Sequence, residues 1–140
     1  MTTRADKFTQ LQKLPDLFSD FLDDLTAHPI SGDVARAKNE QSVKQAIRNL
    51  ILTNYGERVF QPDIGCDVDH ALFEFNDYIT KDNLQIHIKT TLANHEPRIN
   101  LLTVDVYQNE DDDTVAINIV FALINSQTPQ NVTLFLRRVR

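Results

Sequence analysis

The chain has few residues of the kinds that form crosslinks, phosphate loops or membrane spans. Cys66 is its single cysteine among 140 residues, which excludes an internal disulfide and a cluster of cysteine metal ligands. Its 3 glycines, Gly32, Gly56 and Gly65, lie too far apart to form a glycine-rich phosphate loop. No run approaches the roughly 20 apolar residues of a membrane span, and polar residues rather than a secretory signal follow Met1. We therefore expect a soluble protein with no membrane partner.

Positive charge is also scarce. The 14 lysines and arginines are outnumbered by 20 acidic residues, so the net charge is −6. Nucleic-acid binding relies on basic side chains that neutralise phosphates, and the basic C-terminal residues have no aromatic residues interleaved with them for base stacking. The composition therefore predicts no nucleic-acid partner. A hydrophobic fraction of 41% is sufficient for one domain with a packed core.

Residues 1–38 are predicted to form an N-terminal arm. Apolar residues between Leu11 and Leu25 recur at spacings of three and four, which predicts an amphipathic helix with Pro15 in its first turn. His28-Pro29 disfavours helix and predicts an extended loop after it. Since few long-range anchors are evident in this segment, we expect the arm to become ordered against a partner.

Residues 39–140 form the second predicted unit, which begins with helices. Asn39 is the predicted N-cap of the first helix, and Gly56 is its predicted stop signal. A short helix is predicted from about position 67 to 75. A longer one starts at a Thr80 cap and ends near His95, because Pro97 disfavours helix at the residue before it. The predicted buried stripes are Val43, Ala46, Ile47, Leu50 and Ile51, and Leu84, Ile88, Thr91 and Leu92.

Beyond Pro97 the apolar period changes from that of a helix to that of a strand. Alternating residues predict strands over 100–109, 114–125 and 131–140, joined by short polar connections. The predicted inward residues are Leu102, Val104, Val106, Val115, Ile117, Ile119, Phe121, Leu123, Val132, Leu134 and Leu136. The fold class is therefore predicted as α+β, with N-terminal helices packed on a small antiparallel sheet that is a three-stranded meander.

The sequence gives only weak indications of a catalytic site. Glycoside hydrolysis needs two carboxylates roughly 5–9.5 Å apart, and Glu57, Asp63, Glu74 and Glu96 are candidates only in the sense that any chain rich in acids offers pairs. There is no Gly-x-Ser-x-Gly nucleophile motif.

Histidine and cysteine give no stronger signal. His87 and His95 lie eight residues apart, whereas helical metal ligands are usually four apart, so no metal site is predicted. Cys66 beside His70 has the residue types of a thiol nucleophile and its base, but a lone cysteine is more often a small buried residue.

Glu96-Pro97-Arg98 brackets a predicted helix end with opposite charges. The simplest interpretation is that Pro97 only ends the helix and that Glu96 and Arg98 face solvent. An alternative is a fixed charge cluster with Arg58 and Asp63, whose loop is expected to pass near the same layer. Such a cluster favours rigid docking over catalysis, because each charge already has an opposite partner and Arg98 offers planar, forked hydrogen bonds. This interpretation predicts that Arg98→Ala abolishes partner binding and leaves the isolated fold unchanged.

The last strand ends in arginines, and no later element covers it. Its inward residues are Val132, Leu134 and Leu136, and its basic residues are Arg137, Arg138 and Arg140. One interpretation is an ordinary edge strand protected from aggregation by charge. The other is a strand whose free edge pairs with another polypeptide through backbone hydrogen bonds.

Two stretches together resemble a known family. The segment VKQAIRNLILTNYGERVFQPDIGCDVDHALFE, followed later by EPRI, is similar to the baseplate wedge proteins of contractile phage tails. That family includes the sheath initiators of T4-like myoviruses and the corresponding baseplate subunit of bacterial type VI secretion. The resemblance covers about residues 40–140.

The resemblance implies a structural role in the virion tail baseplate, after synthesis in the host bacterial cytoplasm. It implies that Glu96, Pro97 and Arg98 dock on the helical core bundle of the larger wedge proteins. It also implies that the strands from about Val115 to Arg140 template the first ring of the tail sheath protein. Six copies per baseplate are expected, with tail tube or hub proteins as further candidate partners. No cofactor and no enzymatic activity are expected; the alternative is an acidic lysozyme-like glycoside hydrolase of the baseplate.

Overall fold

A computed structural model describes residues 16–73, 78–109, 114–126 and 128–137. In chain order its elements are β1 (Ser19–Phe21), β2 (Arg36–Lys38), α1 (Glu40–Leu52), α2 (Val68–Phe73), α3 (Tyr78–His95), β3 (Ile99–Asn109), β4 (Thr114–Leu123) and β5 (Pro129–Arg137). The strands β3, β4 and β5 form an antiparallel meander, and β1 pairs with β2 in a separate two-stranded sheet. The predicted α+β class is confirmed.

The core lies between the helices and one face of the meander. Along β4 every second side chain is buried, as the alternation predicts, and Phe121 at the centre is fully buried. The helix α3 packs along β3 and presents Ile88 and Leu92 to this face, while α1 packs on α3 and β5 through Ile47 and its neighbours. Among the described residues, no helix is both long enough and apolar enough to cross a membrane.

The strand β3 contains a bulge that reverses its alternation. Leu101 pairs with Phe121 and Thr103 with Val120, so Leu102 is an extra residue between two consecutive partners. Leu102 is 57% exposed, and Leu101 instead packs against the core. The prediction that Leu102 faces inward is therefore wrong, because one inserted residue moves the preceding side chains to the opposite faces.

The helix limits differ from their predicted positions at two places, and the side chain at the predicted N-cap makes no cap. The helix α1 ends at Leu52, and its C-cap Thr53 has extended backbone, so Gly56 lies in the following loop. Asn39 is the N-cap residue, but its side chain does not cap the helix. The helix α3 starts at Tyr78, ahead of the predicted Thr80 cap, and ends at His95 as predicted.

The predicted arm helix is wrong in its described part. Residues 16–25 form β1 and a turn, and β1 pairs with β2 from Ser19↔Lys38 to Phe21↔Arg36. Positions 11–15 lie outside the described residues. Strand pairing satisfies the backbone here, and the partly buried Phe18 packs against the core, so tertiary contacts override the local helical period.

Side-chain contacts hold the described arm on α1. The Asn39 Oδ1 atom accepts hydrogen bonds from the backbone N–H groups of Leu17 (2.9 Å) and Phe18 (3.3 Å). Further along α1, Gln45 Nε2 donates to the carbonyl oxygen of Phe21 (2.6 Å) and Asn49 Nδ2 donates to Asp23 Oδ1 (2.9 Å). Asn39 thus anchors the arm with the oxygen that was predicted to cap the helix.

Candidate functional site

Glu96, Pro97 and Arg98 form a tight corner between α3 and β3. The Glu96 N–H donates to the Leu92 carbonyl (2.9 Å) and completes the last helical turn, after which Pro97 has no N–H to continue the helix. The Arg98 carbonyl accepts the N–H of Ile124 (3.1 Å), just past the end of β4. The corner is therefore held from the helix and from the sheet at once.

A forked ion pair occupies this corner. Arg98 Nε lies 2.5 Å from Glu96 Oε1, and Arg98 Nη2 lies 2.6 Å from Glu96 Oε2. The Glu96 side chain is only 5% exposed, whereas that of Arg98 is 30% exposed. The hydrogen bond to Glu96 raises the pKa of Arg98 above its usual range, so its positive charge is firmly held. A guanidinium has five N–H donors, and the fork to Glu96 leaves three of them for other acceptors.

Phe18 of the arm also contacts this pair, which the sequence did not indicate. The Arg98 Cζ atom lies 5.6 Å from the centroid of the Phe18 ring, within the range of a cation–π contact. The negative charge of Asp20, two residues further on, also helps to raise the pKa of Arg98. Phe18 and Arg98 are 80 positions apart, so no local pattern joins them.

Arg58 and Asp63 lie on a different surface feature, the loop of residues 53–66. Both are exposed, and neither side chain has a hydrogen bond or ion pair with any residue that the structure describes. The structure thus shows a two-residue pair, Glu96 with Arg98, rather than the expected four-residue cluster. The docking role of Arg58 and Asp63 stays a prediction.

The carboxylates considered for hydrolysis do not form an accessible pair with Glu96. Glu96 is buried and both of its oxygens bind Arg98. Glu57 accepts the N–H of Asn54 (2.9 Å), Asp63 is exposed, and Glu74 lies outside the described residues. Within the described ranges no group of three or more histidine, cysteine, aspartate and glutamate residues is placed to hold a metal ion.

Cys66 has the environment of a structural residue. It is fully buried, and burial raises the pKa of its thiol to about 11, whereas His70, four positions later, is exposed. At pH 8 only on the order of 0.1% is thiolate, the reactive form.

We therefore expect Cys66 in the native chain to react with a disulfide reagent at pH 8 at least 100-fold more slowly than in urea, as followed by absorbance. Its native rate should rise with pH toward 11. A native rate equal to that of the unfolded chain would contradict the buried assignment and reopen the thiol nucleophile hypothesis.

The strand β5 lies at one edge of the meander. It pairs with β4 from Thr114↔Arg137 to Ala122↔Pro129 and has no partner on its other side in the described part of the chain. Val132 and Leu134 are buried in the core, and Leu136 packs against it, as predicted. Arg137 is exposed at the end of the strand. Arg138 and Arg140 lie outside the described residues.

The fold is similar to that of chains in three solved structures. The anti-feeding prophage baseplate contains a similar chain (TM-score 0.61, 19% identity, 84% of this chain and 83% of that chain covered). The baseplate complex of the type VI secretion system contains another (TM-score 0.54, 18% identity, 70% and 93% covered). A proposed tail lysozyme from Geobacter sulfurreducens is also similar (TM-score 0.66, 27% identity, 72% and 92% covered). The fold is thus that of small tail and baseplate modules.

Sequence comparison identifies the family itself. The family model described as baseplate wedge protein gp25 matches residues 37–128. The baseplate wedge protein gp25 of Enterobacteria phage T4 is 36% identical over 94 residues, which cover 67% of this chain and 71% of that protein. The chain belongs to the baseplate wedge protein gp25 family. The predicted structural role in a virion tail baseplate is confirmed, and the chain assembles with other baseplate proteins.

Proposed function

We propose that this chain connects the wedge to the sheath. Through the Glu96–Arg98 corner it docks on the helical core bundle formed by the larger wedge proteins. Through the free edge of β5 it pairs with a strand of the tail sheath protein and templates the first sheath ring. Six copies surround the tail axis, where tube or hub proteins are further contacts. The proposed role is structural and involves no catalytic step.

The observation that carries the sheath role is that, among the described residues, β5 pairs on one side only. An edge strand presents unpaired N–H and C=O groups to any polypeptide of matching direction. At about 0.5–1.5 kcal/mol for each net hydrogen bond, roughly four such bonds stabilise the added strand by several kcal/mol. Backbone pairing thus supplies affinity without a large apolar interface.

The burial of alternate β5 residues makes this edge a rigid template. Val132 and Leu134 are held in the core, so the strand cannot slide without moving buried side chains to the solvent face. A sheath strand that pairs with β5 therefore starts in one register. Arg137, with Arg138 and Arg140 after it in sequence, favours an acidic partner surface and helps to select that register.

The observation that supports docking is the orientation of Arg98. Glu96 holds the guanidinium in a fixed plane, so its remaining N–H donors are ordered before any partner arrives. Their planar geometry suits a carboxylate or a pair of backbone carbonyls on the core bundle. Glu96 acts as a positioning residue, since it is buried.

The sheath role is tested by reversing the charge at the end of β5. We expect baseplates carrying Arg137→Glu, Arg138→Glu and Arg140→Glu together to assemble normally but to start sheaths at least ten times less often, because an acidic partner is repelled. Negative-stain electron microscopy of particles supplied with sheath protein measures the fraction that bear sheaths.

The matched control changes the same total charge on the helices, with Lys44→Glu, Arg48→Glu and Lys89→Glu. It should leave the sheathed fraction unchanged. Equal loss in both variants would assign the effect to net charge, and normal sheaths on the β5 variant would remove the proposed role of its arginines.

A further inference from the structure

The loop of residues 53–66 presents two apolar side chains to solvent at its tip. Phe60 is 96% exposed and its neighbour Val59 is 86% exposed. The N–H of Gln61 donates to the carbonyl of Arg58 (3.2 Å), so Val59 and Phe60 are the two central residues of a β-turn. Central turn positions usually hold glycine, asparagine, aspartate, proline or serine. Conflict between local sequence preference and structure is typical of functional sites.

This tip is ordered without a partner. A turn on each side flanks it, closed by the N–H of Glu57 to the carbonyl of Asn54 (3.2 Å) and by the N–H of Ile64 to that of Gln61 (3.1 Å). The Gly56 N–H also donates to the Pro62 carbonyl (2.9 Å) and closes the segment that carries the tip. Because these bonds already fix the backbone, binding the tip requires little further ordering.

The base of the loop is fixed to the helix that carries the charged corner. The Thr91 hydroxyl of α3 lies 3.4 Å from the hydroxyl of Tyr55 and donates to the Gly65 carbonyl (3.3 Å). Thr91 precedes Glu96 by five residues, about 7.5 Å along the helix axis. The loop is therefore anchored at the same end of α3 as the docking corner.

We propose that Val59 and Phe60 form an apolar anchor that inserts into a concave apolar pocket on a larger wedge protein, the same partner that receives Arg98. This inference rests on the proposed docking function and adds a second contact to it. Exposed Glu57, Arg58 and Asp63 surround the anchor with both charge signs, so the pocket needs an apolar floor and a polar rim. Aromatic anchors in such pockets are typical of residues that dominate binding.

A second copy of this chain is a less suitable partner. Two tips in contact bury on the order of 300 Å² on each copy, if a phenylalanine buries about 150–250 Å². A stable protein interface buries about 800 Å² on each side. A projecting side chain also needs a cavity to enter, which a second convex tip does not provide.

The test measures binding of the full chain to the purified larger wedge proteins of the same virus, immobilised for surface plasmon resonance. Phe60→Ala should weaken binding about 30-fold, as expected for a dominant anchor, and Val59→Ala by a smaller factor. The midpoint of thermal unfolding should change little, because both side chains are exposed. Ile86→Ala is the matched control, since Ile86 is 57% exposed on α3 and belongs to neither proposed contact, and it should bind like the wild type.

The outcomes separate this inference from the docking proposal. Wild-type binding by Phe60→Ala, with weak binding by Arg98→Lys, would overturn the anchor and leave the corner in place. Weak binding by Phe60→Ala, with wild-type binding by Arg98→Lys, would support the anchor and remove the corner. A dimer seen by analytical ultracentrifugation and lost in Phe60→Ala would overturn the assignment to a wedge protein.

Discussion

Replacing Gly65 with alanine is expected to lower the free energy of unfolding by about 3 kcal/mol, from strain and steric overlap together. Gly65 has a φ of +154°, and a Cβ atom there would lie 2.7 Å from the carbonyl oxygen of Thr53 and 2.8 Å from the carbonyl carbon of Asn54. Both contacts are with backbone, so neither atom can move aside by a side-chain rotation. The Thr53 oxygen also accepts the N–H of Cys66 (2.7 Å), the bond that closes the loop.

Thermal unfolding of the isolated chain measures this effect. The midpoint should fall by roughly 10 °C for a chain of this length. Gly56→Ala is the matched control, because Gly56 also has a positive φ (+82°), but a Cβ atom there would have no other atom within 4 Å. It should cost only about 1 kcal/mol. If both variants lose the same stability, backbone conformation alone is responsible and the close approach at Gly65 contributes nothing.

Arg98→Ala is expected to lower the free energy of unfolding by about 2–3 kcal/mol. Removing one partner of a buried ion pair typically costs about 3–5 kcal/mol, and the partial exposure of Arg98 reduces that cost through solvent screening. The variant loses stability because the Glu96 side chain, which is 5% exposed, no longer has a positive charge beside it. The burial of Glu96 revises the expectation that this variant leaves the isolated fold unchanged.

Urea unfolding of the single and double variants separates the cost of the unpaired Glu96 charge from the other effects of removing the Arg98 side chain. Glu96→Gln combined with Arg98→Ala should be about 1–2 kcal/mol more stable than Arg98→Ala alone, because a buried neutral amide costs less than a buried unpaired charge. Arg36→Ala is the control, because the Arg36 Cζ atom lies 5.9 Å from the centroid of the exposed Phe21 ring and, in the described part of the chain, Arg36 has no ion pair with a carboxylate. A wild-type midpoint for Arg98→Ala would show that the pair does not stabilise the corner.

The elements predicted most closely are those whose hydrogen bonds and apolar spacing are local. The helix α3 ends at His95 because Pro97 follows it, and the buried alternation of β4 is visible in its own residues. The helix predicted in the arm was wrong because the apolar spacing there suits a helix, whereas the pairing of β1 with β2 depends on residues about 20 positions away. The predicted inward orientation of Leu102 was wrong for a similar reason, since the register that places the bulge is a property of two strands together.

The candidate site shows the same division. Glu96-Pro97-Arg98 was identifiable from sequence because the charges and the helix-ending proline are local features. The contact of Phe18 with Arg98 was not, and the sequence also joined Arg58 and Asp63 to a cluster that the structure does not form. The exposure of Val59 and Phe60 could not be predicted either, because the sequence of an apolar pair does not show whether it is buried or exposed.

The sequence by itself determined the α+β class, the helix end before Pro97 and the family. These follow from apolar period, backbone chemistry and motif, which are properties of neighbouring residues. Only the tertiary structure decided that Glu96 is buried, that Arg98 contacts the arm and that a phenylalanine projects from an ordered turn. Burial and exposure depend on what distant segments cover, so they are decided only when the whole chain is packed.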